Sequence, residues 1–268
     1  MNPERHAPVT QEEFVKSHKR HHHMTALLRI SVLMLFLFYW EIGARLSWFD
    51  TFFFSSPSGV VNCGLELLRQ NNLLMHVGIT LLETVISFVL VTVFSLLIAT
   101  ILWYLPRTAE ITEPYLVILN SLPKSALAPL FIVWFGTNMR TIVIAGISVA
   151  VFGSIITFYT AFRQADPEKC ILITTLGGKK IDIFTKVILP GSAPILLSTS
   201  KVNIGLALVG VIIGEFLSAR RGLGYLIIYG SQVFRLDMVI TGILILCIIA
   251  LCFYQSLQTL EHMLKKKT

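Results

Sequence analysis

The sequence predicts an all-α polytopic membrane protein with six transmembrane helices. Of its 268 residues, 54% are hydrophobic and only 14% are charged, and the mean hydropathy is +0.74. Soluble domains have shorter apolar runs that polar residues interrupt more often. Each predicted span is long enough, as a helix, to cross about 30 Å of hydrocarbon. The predicted spans are residues 26–47, 78–104, 114–135, 141–162, 194–217 and 238–259.

Residues 1–25 are predicted to form a basic cytoplasmic tail before the membrane domain, which covers residues 26–260. The tail is too polar for a secretory signal peptide, and no small-residue cleavage site follows the first apolar run, so the first span is expected to remain as an anchor. The tail contains His21-His22-His23. Histidines on a mobile tail without a neighbouring ligand are more often solvated than metal-bound, and we predict no metal site. A second basic tail covers residues 261–268.

The distribution of lysine and arginine predicts that both termini are cytoplasmic. In this orientation the inner segments carry 14 of these residues and the outer loops carry 5, which agrees with the retention of positive charge inside. The same bias accounts for the net charge of +7. We predict no nucleic-acid binding, because no basic helix is interleaved with aromatic residues. The inner segments are 1–29, 105–113, 163–192 and 261–268, and the outer loops are 48–76, 136–140 and 218–237.

The segment 166–190, between the fourth and fifth spans, has the pattern of two short helices joined by a turn. Asp166 can cap the first helix, Pro167 suits its first turn and Glu168 complements the helix dipole. Gly177 and Gly178 are predicted to end it with φ > 0. A second helix has Ile181, Phe184, Val187 and Ile188 at helical spacing and is predicted to end at Pro190. Two apolar-faced helices outside the membrane indicate a docking partner.

The spacing from Gly177 to Val187-Ile-Leu-Pro190 resembles the cytoplasmic signature loop of ATP-binding-cassette (ABC) importer permeases. Further motifs resemble the nitrate/sulfonate/taurine branch of that family in the same order along the chain. The usual Glu-Ala-Ala of the loop is replaced by Ile171, Leu172 and Ile173, so the family's glutamate is missing. The collinear motifs are Tyr39-Trp40-Glu41, Ser56 to Val60, Ser121 to Leu130, Ile132 to Gly136, Gly214 to Leu217 and Gly222 to Gly224.

The resemblance implies a type I importer permease of the prokaryotic plasma (inner) membrane, with no catalytic residue of its own. Two permease copies, a homodimer by preference, would assemble with two ATPase subunits, which hold ATP and magnesium, and with an extracytoplasmic substrate-binding protein. Residues 163–192, here named the coupling loop, would dock in a cleft of the ATPase. The coupling residues implied are Asp166, Glu168, Leu172, Leu176, Gly177, Gly178, Lys179, Phe184, Leu189 and Pro190.

No phosphate-binding loop is present in the sequence. The run Gly177-Gly178-Lys179-Lys180 lacks the upstream glycine and the Ser or Thr that would hold magnesium. ATP is therefore expected on a partner subunit, and no cofactor is expected in this chain.

Polar residues inside the spans are candidates for the solute pathway, because burial in the membrane is costly unless they are paired or face water. These are Glu83, Lys124, Asn203 and Glu215, and the alternative for Lys124 and Glu215 is a structural ion pair. The small residues Gly205, Gly210 and Gly214 could pack two permease copies together, or could equally pack helices within one chain.

Two other classes of function would require different residues within the spans. An ion-coupled secondary transporter predicts paired carboxylates or histidines within the spans. Glu83 has no evident partner in the sequence, and His76 lies just before the second predicted span. A membrane-embedded enzyme requires a catalytic constellation, which the apolar spans lack. The branch resemblance implies a small anion, such as a sulfonate, taurine or nitrate, as solute, with a heterocyclic vitamin precursor as the alternative.

Overall fold

The computed structural model describes residues 11–48, 50–70 and 72–265, and the regular structure within these ranges is helical. The sequence predicted this all-α class, and the structure confirms it. One π-helical turn, Phe184–Ile188, lies between α9 and α10. The helices are α1 (Gln11–Arg45), α2 (Thr51–Phe54), α3 (Pro57–Arg69), α4 (Asn72–Tyr104), α5 (Pro106–Ser121), α6 (Lys124–Phe135), α7 (Met139–Arg163), α8 (Pro167–Thr175), α9 (Lys180–Ile183), α10 (Leu189–Ser218), α11 (Leu223–Gln232) and α12 (Leu236–Lys265).

Five helical stretches in the described part of the chain are long and apolar enough to cross a membrane. They correspond in order to the first, second, fourth, fifth and sixth predicted spans. Four of them extend beyond the predicted ends because the helices continue past the apolar core of the span, and the first lies within the predicted 26–47. These stretches are Leu27–Arg45, Leu73–Tyr104, Met139–Arg163, Lys180–Ser218 and Leu236–Glu261.

The third predicted span, 114–135, is not one straight helix. It is divided between α5 and α6, which meet at an angle of 94°. The break has a local cause, since Pro123 restricts the residue before it to extended geometry. Leu122 accordingly has φ −62° and ψ 138°. The bent pair therefore makes a sixth crossing only as a broken span.

The prediction that a helix ends at Pro190 is wrong. The chain stays helical from Lys180 to Ser218, and Pro190 lies in the first turn of α10. Just before it, the Leu189 N–H donates to the carbonyl of Phe184, five residues earlier. Proline has no N–H for the usual bond to the residue four before it, and a single π-turn accommodates the irregularity without ending the helix.

The chain divides into two compact units, residues 1–62 and 63–268. In the first unit, Arg45 Nε donates to Glu41 Oε1 at 2.8 Å, which is the pair expected from their i, i+4 spacing. The other oxygen of Glu41 accepts from the Ser58 N–H at 3.1 Å.

The second unit is built around α4, α7 and α10, which pack against one another. The contact of α7 with α10 is close because glycines lie between them. A Cβ on Gly210 would lie 2.7 Å from Gly146 Cα, and one on Gly214 would lie 2.9 Å from Ile142 Cα. Helix backbones this close need small residues at the crossing.

Helix α11 lies within 218–237, which the sequence predicts to be an external loop, so it corrects that prediction. It is well packed: Leu223 and Leu226 are buried and share a core cluster with Met238 of α12. The short helix therefore belongs to the folded body of the unit.

Cys63 is predicted to resist alkylation in the folded protein. Its side chain is 3% exposed, and Arg235 Nη2 lies 3.9 Å from its Sγ. Burial, followed by the neighbouring Asp237, raises the thiol pKa from 9.0 to about 11, and only the thiolate reacts readily. At pH 8, N-ethylmaleimide should label Cys170 faster than Cys63, as measured by peptide mass spectrometry. Labelling of Cys63 should rise after denaturation in SDS, and equal rates before it would contradict the packing described.

Candidate functional site

The first helix of the coupling loop, α8, begins and ends with well-formed caps. The Asp166 Oδ1 accepts from the Glu168 N–H at 3.0 Å, and Pro167 occupies the first turn. At the other end, the Gly177 N–H donates to Thr174 O at 3.0 Å and the Gly178 N–H donates to Ile173 O at 2.9 Å. This pair of bonds is a Schellman motif.

The two glycines of this motif have different roles. Gly177 has φ +79°, as predicted, and a Cβ there would meet open space, so only the backbone conformation requires glycine. Gly178 does not have positive φ, which corrects the prediction. Its requirement is close packing, since a Cβ would lie 2.5 Å from Ile173 Cγ2.

The turn is followed by α9, which Asp182 stabilises at its start. The Asp182 Oδ2 accepts from the Lys179 N–H at 2.9 Å, and its Oδ1 lies 3.1 Å from Lys186 Nζ. The turn and both flanking helices are thus fixed by local hydrogen bonds, and the coupling loop has a defined shape of its own.

Phe184 attaches the coupling loop to the membrane helices. Its ring is buried and lies 5.3 Å from the ring of Trp103 and 5.4 Å from that of Phe162, measured between centroids. Lys180 reinforces the attachment, since its Nζ donates to Tyr104 O at 2.8 Å. The sequence had placed Phe184 among the ATPase-contacting residues. The structure instead turns it inward, so it can transmit force but does not present its ring to a partner.

The outer face of the coupling loop presents apolar side chains. Leu176 is 75% exposed and Ile171, at the position of the family's glutamate, is 64% exposed. We name this set the docking face. It consists of Ile171, Leu172, Leu176 and Ile181, each more than half exposed.

The remaining predicted coupling residues differ in exposure. Leu189 is half-buried. Asp166, Glu168, Lys179 and Pro190 are exposed.

A buried polar cluster lies at the opposite ends of α7 and α10. Glu215 is fully buried, and its Oε1 accepts from Thr80 Oγ1 at 2.6 Å. Its Oε2 accepts from the Gly224 N–H at 2.5 Å, and the carboxylate also accepts from the Tyr225 N–H. The Leu223 N–H donates to Thr80 Oγ1 at 2.8 Å. The first N–H groups of a helix have no partner within it, and here α4 and α10 supply the acceptors for α11.

A glycine is required at position 222, where the backbone packs directly against the Glu215 carboxylate. It has φ +112°, and a Cβ there would lie 2.4 Å from the Glu215 carboxylate. Its N–H donates to His76 Nδ1 at 2.9 Å. His76, which the sequence placed before the second span, is buried within α4. The sequence had indicated Glu83 and Glu215 as candidates and Gly222 and Gly224 as part of a motif. It gave no sign that His76 or Thr80 would contact them.

Glu83 lies beside Glu215. The expectation that Glu83 has no partner is wrong, because its carboxyl group is hydrogen-bonded to that of Glu215. Glu83 is 3% exposed, and its other oxygen, Oε2, has no hydrogen-bond partner in the described part of the chain. It lines a cavity of about 230 Å³ that Arg220 and Arg221 also line.

The two other pathway candidates lie apart from this cluster. Lys124 Nζ donates to the carbonyls of Leu119 and Asn120 at the end of α5. Asn203 is buried between α7 and α10, where its Oδ1 accepts from Ser154 Oγ at 2.7 Å. Both side chains thus have structural contacts, and their contribution to a solute pathway stays a prediction.

The glycines predicted for dimer packing are only partly free. Gly210 and Gly214 are covered by α7 of the same chain, which corrects that assignment in favour of intramolecular packing. A Cβ on Gly205 would meet open space, so Gly205 alone of the three remains available to a second copy.

The described part of the chain thus combines long apolar helices with a short loop whose apolar side chains are exposed. Comparison with known families shows which class of protein this is. The family described as binding-protein-dependent transport system inner membrane component matches residues 91–266. The chain belongs to this family and is the permease component of an ABC importer, in which a separate subunit hydrolyses ATP.

Curated relatives span nearly the whole chain. A protein of Haemophilus influenzae named as an ABC transporter permease is 30% identical to this chain. The aligned region covers 88% of this chain and 94% of that protein. A formylaminopyrimidine transport permease of Halalkalibacterium halodurans is 26% identical, with 86% and 92% covered. A Bacillus subtilis protein named as an aliphatic sulfonates transport permease is also 26% identical, with 97% and 94% covered.

Among solved structures, an inward-facing form of the MetNI methionine ABC transporter has the same fold. It superposes on this chain with a TM-score of 0.63 at 18% identity. The superposition covers 70% of this chain and 94% of the MetNI chain. The fold is therefore that of an ABC importer permease, as expected.

Proposed function

We propose that this chain forms the translocation pathway of an importer for a small anion, with a sulfonate, taurine or nitrate as the solutes considered. Two copies would pair in the membrane, with their termini in the cytoplasm and the coupling loops seated in the ATPase subunits. The observation that carries the proposal is the docking face, whose four apolar side chains are exposed on a segment of defined shape.

The placement of the docking face supports a mechanical role. The coupling loop joins the end of α7 to the start of α10, and these two helices pack closely along their lengths. Phe184 fixes the loop to the aromatic residues at the ends of α4 and α7. A push on the loop by a closing ATPase pair would therefore move α7 and α10 as a body. ATP-driven alternating access needs no catalytic residue in this chain.

The relatives represent two kinds of solute. The relative named for aliphatic sulfonates supports an anion, whereas the one named for formylaminopyrimidine supports a heterocyclic vitamin precursor. In importers that depend on a binding protein, the external protein selects much of the solute, and its ligand would name the transported compound.

Leu176→Glu is expected to weaken the complex with the ATPase without disturbing the permease. The side chain is 75% exposed, so the change costs the isolated chain little. In a docked complex it would bury an unpaired charge, which costs several kcal/mol. Co-purification from membranes with the cognate ATPase, sought first among neighbouring genes, should fall at least tenfold. Thr185→Glu, at another exposed position outside the docking face, is the control, and equal recovery of ATPase by both variants would count against the docking assignment.

A further inference from the structure

An apolar groove of about 790 Å³ lies between α4 and α7. The residues that line it from α7 are spaced i, i+3, i+4 and i+7, so they share one face of that helix. The groove therefore follows α7 for about 10 Å, with apolar side chains along its length and an arginine at its end. The lining residues are Ile86 and Leu90 of α4 and Arg140, Val143, Ile144 and Ile147 of α7.

The arginine end of the groove adjoins a smaller cavity that two further arginines line. This cavity, of about 230 Å³, is the one lined by Arg220 and Arg221. Asn138 and Met139 line both spaces, so Arg140 and the other two arginines surround one region. We name these three arginines the arginine group. All three are exposed, and none forms an ion pair within the described part of the chain.

The arginine group lies at the end of the membrane helices opposite the coupling loop. Arg140 is in the first turn of α7, and the coupling loop follows the last residue of the same helix. In the orientation proposed above, this end is extracytoplasmic, where lysine and arginine are normally few. The predicted outer loops carry 5 such residues, and the arginine group accounts for most of them. Positive charge concentrated in one place there favours an anionic ligand.

Carboxylates of the second unit do not neutralise the arginine group within the described residues. Glu83 and Glu215 are buried and hydrogen-bonded to each other. Glu66 and Asp237 both pair with Arg235 instead. A second copy of the chain would bring the same carboxylates, already paired in the same way. Charge therefore favours a phosphate group over a helix of a second copy at this end of the groove.

We propose that the groove binds an anionic phospholipid, with an acyl chain along α7 and the headgroup phosphate at the arginine group. Guanidinium groups bind phosphate through parallel N–H donors, and each buried methylene of the chain adds to the affinity. A space that is apolar along its length and cationic at one end matches such a lipid. The proposal rests on the proposed function only for the orientation, which places this lipid in the outer leaflet. A lipid held there would join α4 and α7 to the segment that follows α10.

The test compares two phospholipids that differ in headgroup charge. Dioleoylphosphatidylglycerol carries a net negative charge, whereas dioleoylphosphatidylcholine has the same acyl chains and no net charge. Each is titrated into the purified full-length chain in detergent, and native mass spectrometry counts both the lipids retained and the copies of the chain. At about fivefold for each arginine, the parent should bind the phosphatidylglycerol about 10- to 100-fold more tightly.

Arginine variants test the headgroup site. Arg140→Gln should reduce the affinity for phosphatidylglycerol about fivefold and change that for phosphatidylcholine less. Arg220→Gln and Arg221→Gln, added to it, should remove most of the remaining preference. Arg107→Gln changes an exposed arginine in the first turn of α5, outside the arginine group, and should bind phosphatidylglycerol as the parent does.

A tryptophan variant tests the groove itself. Ile144→Trp should fill part of the groove and weaken retention of both lipids alike. Val133→Trp, at an exposed position of α6 that does not line the groove, is the matched control and should leave retention unchanged. Thermal unfolding shows whether each variant is folded, and should Ile144→Trp fail to fold, the two lipids on the parent and on Arg140→Gln still decide.

Four results would overturn the proposal. The first is equal retention of the two lipids by the parent, and the second is an equal loss in Arg107→Gln and Arg140→Gln. The third is displacement of phosphatidylglycerol by soluble glycerol phosphate, which would indicate a phosphate site without a bound acyl chain. The fourth is a loss of dimers in Ile144→Trp with unchanged lipid retention, which would assign the groove to a second copy. None of them bears on the importer function, which is tested separately by recovery of the ATPase through the docking face.

Discussion

Gly177→Val is expected to reduce ATP-driven uptake and recovery of the ATPase about 5- to 30-fold while leaving the chain in the membrane. Gly177 has φ +79°, and a left-handed residue costs about 1–2 kcal/mol in an L-amino acid, with β-branched residues among the worst placed. The loop can relieve this strain only by opening the Schellman motif, which moves Leu176 and Ile181 of the docking face relative to each other. A loss of 1–2 kcal/mol in the docked geometry corresponds to a 5- to 30-fold loss of complex.

A second substitution at Gly177, to asparagine, is the control. Asparagine tolerates the left-handed region better than other non-glycine residues, and the site has room for a side chain, so Gly177→Asn should retain most of the complex. Recovery of ATPase is measured by affinity purification, and insertion by membrane fractionation. Normal assembly of Gly177→Val, or equal failure of both variants, would show that backbone conformation at the turn is not what the partner requires.

Glu215→Ala is expected to cause a large loss of thermal stability. The change leaves the Thr80 hydroxyl and the N–H groups of Gly224 and Tyr225 without their acceptor in a fully buried site. At about 1–3 kcal/mol for each unsatisfied donor, the loss is about 3 kcal/mol or more. For a chain of this size, that lowers the unfolding temperature by roughly 6–12 °C.

Glu215→Gln removes the negative charge but keeps part of the hydrogen bonding, so it distinguishes the two contributions to stability. Its amide keeps one acceptor oxygen, so its unfolding temperature should lie between those of the parent and Glu215→Ala. Glu113→Ala, at an exposed position, should change the temperature little. The measurement is thermal unfolding in detergent followed by intrinsic fluorescence. A Glu215→Ala midpoint within a degree or two of the parent would mean that α11 does not depend on this carboxylate.

The membrane helices and the coupling loop were accessible to sequence reasoning because their signals are local. Apolar runs locate five long stretches, and Asp166, Pro167 and Gly177 mark the ends of α8 where the structure has them. The break in the third predicted span was missed because hydropathy records composition and not direction. Leu122-Pro123 carried the signal for it.

The buried cluster could not be found in this way, since it depends on contacts between residues far apart in the chain. Nothing near Glu83 in the sequence indicates Glu215 as its neighbour, and α11 is too short and too rich in polar and glycine neighbours to be distinguished from a loop. Likewise, the spacing of Gly210 and Gly214 fits a contact with any close helix, and only the fold assigns that contact to α7.

The docking face has a consequence for how the subunit is handled before assembly. A permease copy that has not met its ATPase leaves four large apolar side chains in contact with water, and surfaces of this kind attract chaperones and proteases. We therefore expect surplus copies to be degraded, so that the supply of the ATPase sets the abundance of the permease. A pulse-chase comparison with and without co-expressed ATPase would measure the difference in half-life.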